Sequence, residues 1–202
     1  MGLIERAGEY GNYWGNTYDS SNTLNEEQQQ ENALYIWTAL EKAGWTLNAV
    51  AGMLGNMQSE SAINPGRWQS DRVGGDPTGH GYGLVQWTPY TKYTDWIVTQ
   101  GFSDPSEMDA NIFRILYEVA NNLQWIATQD YNYSFTVYTQ SYDDPYNLAM
   151  AFLANYERPL VPVQPIRGIQ AQAWYEFLRT AKLRGFPWIL YTKKLREKRQ
   201  VK

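Results

Sequence analysis

The residues 54–66, "LGNMQSESAINPG", carry an apolar helical pattern up to one carboxylate, Glu60, followed by Ser61 and then Asn64-Pro65-Gly66. At about 100° per residue, Glu60 lies about 20° from Met53 and about 60° from Met57, so it continues the apolar side. Burial disfavours a carboxylate, and the negative end of a helix acts in the same direction. A Glu raised from about 4.3 towards 6 or 7 holds a proton at neutral pH and gives it to a leaving oxygen, as a general acid does. A Glu near a helix end is more often simply solvated, so this position alone decides nothing.

Glycosidases usually need a second carboxylate. Asp71 and Asp76 lie in a Gly-rich segment, where a loop would present a base to water, although Asp76-Pro77 is also an ordinary turn opener. Glu157 precedes Arg158 and is expected at the cleft, paired with Arg158 or Arg167 in a structural role. Other chemistries are thin. There is no cysteine, which removes disulfides, thiolate metal sites and Cys nucleophiles. The single histidine, His80, stands between Gly79 and Gly81 and reads as a plain loop residue. A zinc site or a Ser-His-Asp triad would have to use it. No metal and no cofactor are expected.

The elements around Glu60 are mostly helical. Periodicity starts at "EEQQQENALYIWTALEKAGW", with Gly44 at the helix end. The next helix begins near Thr46 or Leu47 and contains Gly52 and Gly55, each costing up to about 1 kcal/mol relative to Ala. Another backbone passing close by would account for both. Residues 68–87 read as a small β region with a flexible loop. Thr88-Pro89, Asp104-Pro105 and Asp144-Pro145 each read as an N-cap with Pro at N1, Glu107 completing a capping box at the second. A last helix covers roughly 166–183.

This gives one domain at residues 25–185, an aperiodic N-terminal arm at 1–24 and a basic tail at 186–202. The net charge is −4, but residues 191–202 hold six Lys/Arg against one Glu, leaving −9 on the rest. An acidic body argues against a nucleic-acid face on the domain. The tail is either a contact arm or a solvated terminus. No apolar run is long enough to span a membrane, and the charged opening "MGLIERAGEYGNYWG" does not suit a signal peptide.

Three segments in order, "GWTLNAVAGMLGNMQSESAINPGRWQ", "GYGLVQWTP" and "FLANYERP", resemble the phage tail lysozyme family of the lysozyme superfamily, which includes the N-terminal domain of podovirus tail-tip wall-degrading proteins. The resemblance covers about residues 26–180. It implies a lysozyme-like α+β fold and cleavage of the β-1,4 bond between N-acetylmuramic acid and N-acetylglucosamine in peptidoglycan. Carried over by position, it makes Glu60 the general acid, and Ser61, Gln86, Trp87, Tyr156 and Tyr82 are expected to meet the substrate in the cleft. Trp87 and Tyr156 suit either a sugar wall or the core.

With water activated by Asp71 or Asp76 the enzyme is a muramidase; with Glu60 acting alone it is a lytic transglycosylase. The expected setting is the virion tail, with peptidoglycan strands as substrate and other tail proteins as partners. An endolysin, or a silent wall-binding tail module, would share the fold. The acidic body predicts salt-sensitive action on anionic walls.

Overall fold

The computed structural model describes residues 3–15, 23–69 and 79–183. Its centre is the helix that carries Glu60. This helix, α2 (Leu47–Ser61), starts where Thr46 accepts the Ala49 N–H, and nearly every residue from Ala49 to Met57 is buried. A helix apolar all round has to be enclosed by others. Around it stand α1 (Glu26–Lys42), α5 (Phe135–Thr139), α6 (Pro145–Phe152) and α7 (Pro165–Leu183); α4 (Met108–Ala120) packs on α1 and α5, with α3 (Thr91–Thr99) against α4.

The two glycines of α2 mark the closest approaches. A Cβ on Gly52 would come within 2.8 Å of the Leu148 side chain on α6. One on Gly55 would meet the Arg167 carbonyl at 2.3 Å and the Ala171 nitrogen at 2.8 Å, both on α7. The helix propensity lost at these positions is what lets two further backbones touch α2.

Other ends follow the sequence. Asn25 and Gln28 form a capping box on α1, and Gly44 takes φ +87° just beyond that helix. Asp144 caps α6 through the Tyr146 N–H, with Pro145 at the first helical position. Leu148, Phe152 and Tyr156 are buried as the spacing predicts.

Three readings change. The described part of the first 24 residues is regular where the sequence reads as aperiodic. Ile4–Gly8 (β1) and Gly11–Gly15 (β2) pair antiparallel, Ile4 opposite Gly15, as a hairpin lying on α1. Tyr13 is buried, the Trp14 indole donates to Glu31, and Arg6 pairs with Asp104. Alternation over five residues bounded by glycines was too short a signal to separate from loop. In the described part of 68–87 there are single bridges, Trp68–Tyr82 and Tyr82–Trp87, rather than strands. Lastly, α3 begins at Thr91 and α4 at Met108, three and four residues after the expected caps Thr88 and Asp104. Asp104 instead accepts from the Ser106 N–H and hydroxyl, closing a turn before the helix.

The sheet is small and the rest helical, so the fold is α+β and mostly α. No described helix is long and apolar enough to cross a membrane.

Candidate active site

Glu60 stands in the last turn of α2, and the chain leaves that turn sharply. Ala62 (φ 53°) and Ile63 (φ 55°) are both left-handed without being glycine, so the stop comes at Ala62, three residues before Pro65. Such backbone costs about 1–3 kcal/mol per residue and survives where its surroundings fix it. Here the Ile63 N–H returns to the Met57 carbonyl, and the Asn32 amide of α1 donates to the Ile63 carbonyl at 2.7 Å. The other end of Asn32 accepts the Trp14 N–H, so the hairpin is tied to the same corner.

The segment 79–88 faces this corner. Gly83 takes φ +84°, and a Cβ there would strike Asn111 Oδ1 at 2.7 Å. That Oδ1 accepts the Leu84 N–H, and the Ser61 hydroxyl lies 2.9 Å from the Leu84 carbonyl. Ser61 is buried, so it fastens α2 to this segment rather than meeting a ligand. Gln86 is left-handed (φ 51°) and half-buried, and its amide donates to the Arg67 and Gly83 carbonyls.

Three expected cleft aromatics are core. Trp87 is 2% exposed, Tyr156 1% and Tyr82 4%. Trp87 stacks on Tyr93 at 4.5 Å, and Tyr82 packs edge-on to Trp68 at 4.9 Å. The Trp87 indole and the Tyr156 hydroxyl both donate to Glu118, at 3.1 and 2.5 Å. Glu118, fully buried on α4, also pairs with Arg114 at 2.8 Å. Burial pushes its carboxyl up, while Tyr156, Arg114 and Trp87 pull it back. Sequence reading missed this hub, although an acid three residues after Ile115 on an apolar stripe is a usable signal.

What remains open is a polar cleft of about 750 Å³. Ser59 and Glu60 of α2 form one wall; Arg67, Gln69, Gly79, Gln86 and Thr88 form the facing side; Glu157 to Leu160 close it. Asp71 and Asp76 lie outside the described residues, as does the tail at 186–202.

Arg167 pairs with Glu60, not with Glu157. Its Nη2 lies 2.6 Å from Glu60 Oε1, its Nη1 donates to Asn56 and its Nε to Gln164. Arg158 Nη1 donates to the Gln124 and Asn155 carbonyls. Glu157 ends a π turn, Leu153–Glu157, in which the Arg158 N–H reaches back five residues to the Leu153 carbonyl. The extra residue turns Glu157 off the buried face of Tyr156 and into the cleft. Its Oε1 is buried and has no hydrogen-bond partner. Burial pushes this carboxyl well up, and the neighbouring Glu60 charge pushes it further; Arg167 opposes, Glu118 adds and Arg158 opposes.

Among the described residues, no group of His, Asp and Glu could hold a metal ion. The arrangement is two carboxylates with a guanidinium in a polar groove, which suits proton transfer to and from a glycosidic oxygen.

The chain is 48% identical over 161 residues to "Morphogenesis protein 1" of Bacillus phage B103, an alignment covering 80% of this chain and 43% of the relative. The chain thus spans less than half the length of that relative. The family model for phage tail lysozyme matches residues 31–178, which take in α2, the 79–88 segment, the π turn and most of α7. With the family's span laid over the elements that build the cleft, the chain belongs to the phage tail lysozyme family.

Proposed function

We propose that this phage lysozyme-like protein hydrolyses the β-1,4 bond between N-acetylmuramic acid and N-acetylglucosamine in peptidoglycan, carried on the virion tail beside other tail proteins and opening the host wall for DNA entry. The observation that supports it most is the pair Glu60 and Glu157 lining one polar cleft. Two carboxylates are what a glycosidase needs to protonate the leaving oxygen and to manage water. Cleft amides and guanidinium groups from Gln69, Gln86 and Arg158 suit the hydroxyl, acetamido and carboxylate groups of such a strand.

Zymography on peptidoglycan tests the assignment, comparing wild type with Glu60→Gln. Clearing by wild type alone is the expected result. Equal clearing by both would remove Glu60 from the chemistry; clearing by neither would make the protein a wall-binding module. Mass spectrometry of the products separates hydrolysis, with reducing ends, from transglycosylation, with 1,6-anhydro ends.

A further inference from the structure

We propose that Lys92 and Arg158 form an anion site at the rim of the cleft, and that this site takes a carboxylate of the peptide stem carried by the glycan strand. The inference rests on the hydrolase reading and names the strands that the cleft selects, those whose muramic acid bears a charged stem.

Neither cation has an acid of its own. Among the described residues, ion pairs use Arg6, Arg114, Arg167, Arg179 and Lys182, but not Lys92 or Arg158. Lys92 Nζ donates to the Gln124 side-chain oxygen at 2.6 Å, and Arg158 Nη1 donates to the Gln124 and Asn155 carbonyls. That leaves two of the three Lys92 protons, and Nε and Nη2 of Arg158, uncommitted. The Nε–Nη2 edge of a guanidinium presents two parallel donors, the fork that a carboxylate takes. On a chain of net charge −4, two neighbouring cations without acids are exceptional.

The backbone that joins them is specialised. Gln124 (φ 64°) stands in a three-residue turn closed by the Trp125 N–H on the Leu123 carbonyl at 2.7 Å. A turn of that hand is rare and strained. Asn122 (φ 51°) and Arg158 (φ 49°) are left-handed as well. Gln124 Nε2 donates to the Tyr156 carbonyl at 3.2 Å, which ties the turn to the segment carrying Arg158. Strain held in place this way clusters at functional sites. Lys92 lies in the first turn of α3, where the helix dipole disfavours a cation.

The surroundings leave room for one anion. Desolvation pushes the Lys92 ammonium down, Glu118 lifts it, and Arg114 and Arg158 push it down again. Arg114 is already balanced by its ion pair with Glu118, so Arg158 is the uncompensated neighbour. Arg158 lines the cleft, as does Thr88, four residues before Lys92. Sugar rings of the strand are neutral, and its carboxylates stand on the stem attached to muramic acid. A strand lying along the cleft would bring one of them to this rim.

The full chain is tested on soluble peptidoglycan strands freed of other wall polymers, either native or with their carboxyls converted to methylamides. Wild type should favour native strands about 10-fold in kcat/KM, through KM, as one charge-assisted hydrogen bond supplies. In Lys92→Gln the preference should fall to near unity, and Lys92→Arg should restore part of it. Lys182→Gln removes a cation paired with Glu41 instead and should keep the preference, which separates the site from net charge. Equal turnover of both strands by wild type, or a preference kept in Lys92→Gln, overturns the proposal. A preference seen only on strands that retain their phosphate polymer assigns the site to phosphate and overturns the stem carboxylate. If wild type cleaves neither strand, the hydrolase reading falls, and equilibrium binding read by tryptophan fluorescence decides the site alone. A 10-fold binding preference lost in Lys92→Gln would uphold it, and equal binding would overturn it.

Discussion

Arg167 holds Glu60 at 2.6 Å, and the carbonyl of the same Arg167 rests against Gly55, five residues earlier on the helix that carries Glu60. The close crossing of α2 and α7 and the setting of the acid are therefore one feature. Arg167→Lys keeps the charge but cannot bond Glu60, Asn56 and Gln164 together, because Lys lacks the planar fork. Peptidoglycan turnover should fall about 100-fold, the scale of a catalytic group misplaced by about 1 Å. Breaking a buried pair costs about 3–5 kcal/mol. Glu60 keeps 21% of its side chain in solvent, so the loss here should be nearer 2 kcal/mol. Denaturant titration beside a turnover assay reads both.

Gly55→Ala tests the same crossing from the backbone. Its Cβ would meet main-chain atoms at 2.3 and 2.8 Å, which cannot yield as a flexible side chain would. Better helix propensity favours Ala by about 1 kcal/mol. Overpacking costs about 1–3 kcal/mol and should win, since α7 must move. Gly44→Ala, by contrast, meets nothing within 4 Å and is strained only by its φ of +87°. Gly55→Ala should therefore lose turnover as well as stability, while Gly44→Ala should lose only stability.

Legibility in the sequence followed the range of the interactions. Caps at Thr46 and Asp144 and the stripe of α2 were readable because they are set within a few residues. The glycines of α2 announced a close neighbour but not which one, since Arg167 lies 112 residues from Gly55. Trp87 and Tyr156 could be named as motif residues, yet their direction depends on Glu118, a partner far from both in sequence. Glu157 was readable as a cleft acid and misread in its pairing. The π turn that aims it has no composition signal, and Arg167 had two acids to choose from.

Tyr156→Phe separates core from cleft. Its hydroxyl reaches Glu118 at 2.5 Å and its ring stacks on Phe152 at 4.5 Å. Removing the hydroxyl takes one donor from a buried carboxylate that still has Arg114 and Trp87. A loss of about 1.5–3 kcal/mol is expected, as for hydrogen bonds to charged groups. The Michaelis constant for glycan should not change. A large rise in that constant with unaltered thermal stability would return Tyr156 to the sugar site.

The stability of Glu157→Gln should depend on pH with a definite sign. Burial and the Glu60 charge hold the Glu157 carboxyl well above its usual 4.5 in the folded protein. Below that usual value both folded and unfolded wild type carry the proton, and the variant gains nothing from this source. As pH rises past it, the unfolded chain ionises Glu157 while the folded chain does not, so wild type loses stability that Gln cannot lose. The gap in favour of Glu157→Gln should widen by at most about 1.4 kcal/mol per pH unit and level off above the folded value. The slope belongs to the Glu60–Glu157 pair, since their titrations interact. Thermal unfolding of both proteins from pH 4 to 8 measures it. A gap that stays flat would mean that Glu157 ionises alike in the folded and unfolded chains, and that burial does not hold its carboxyl up.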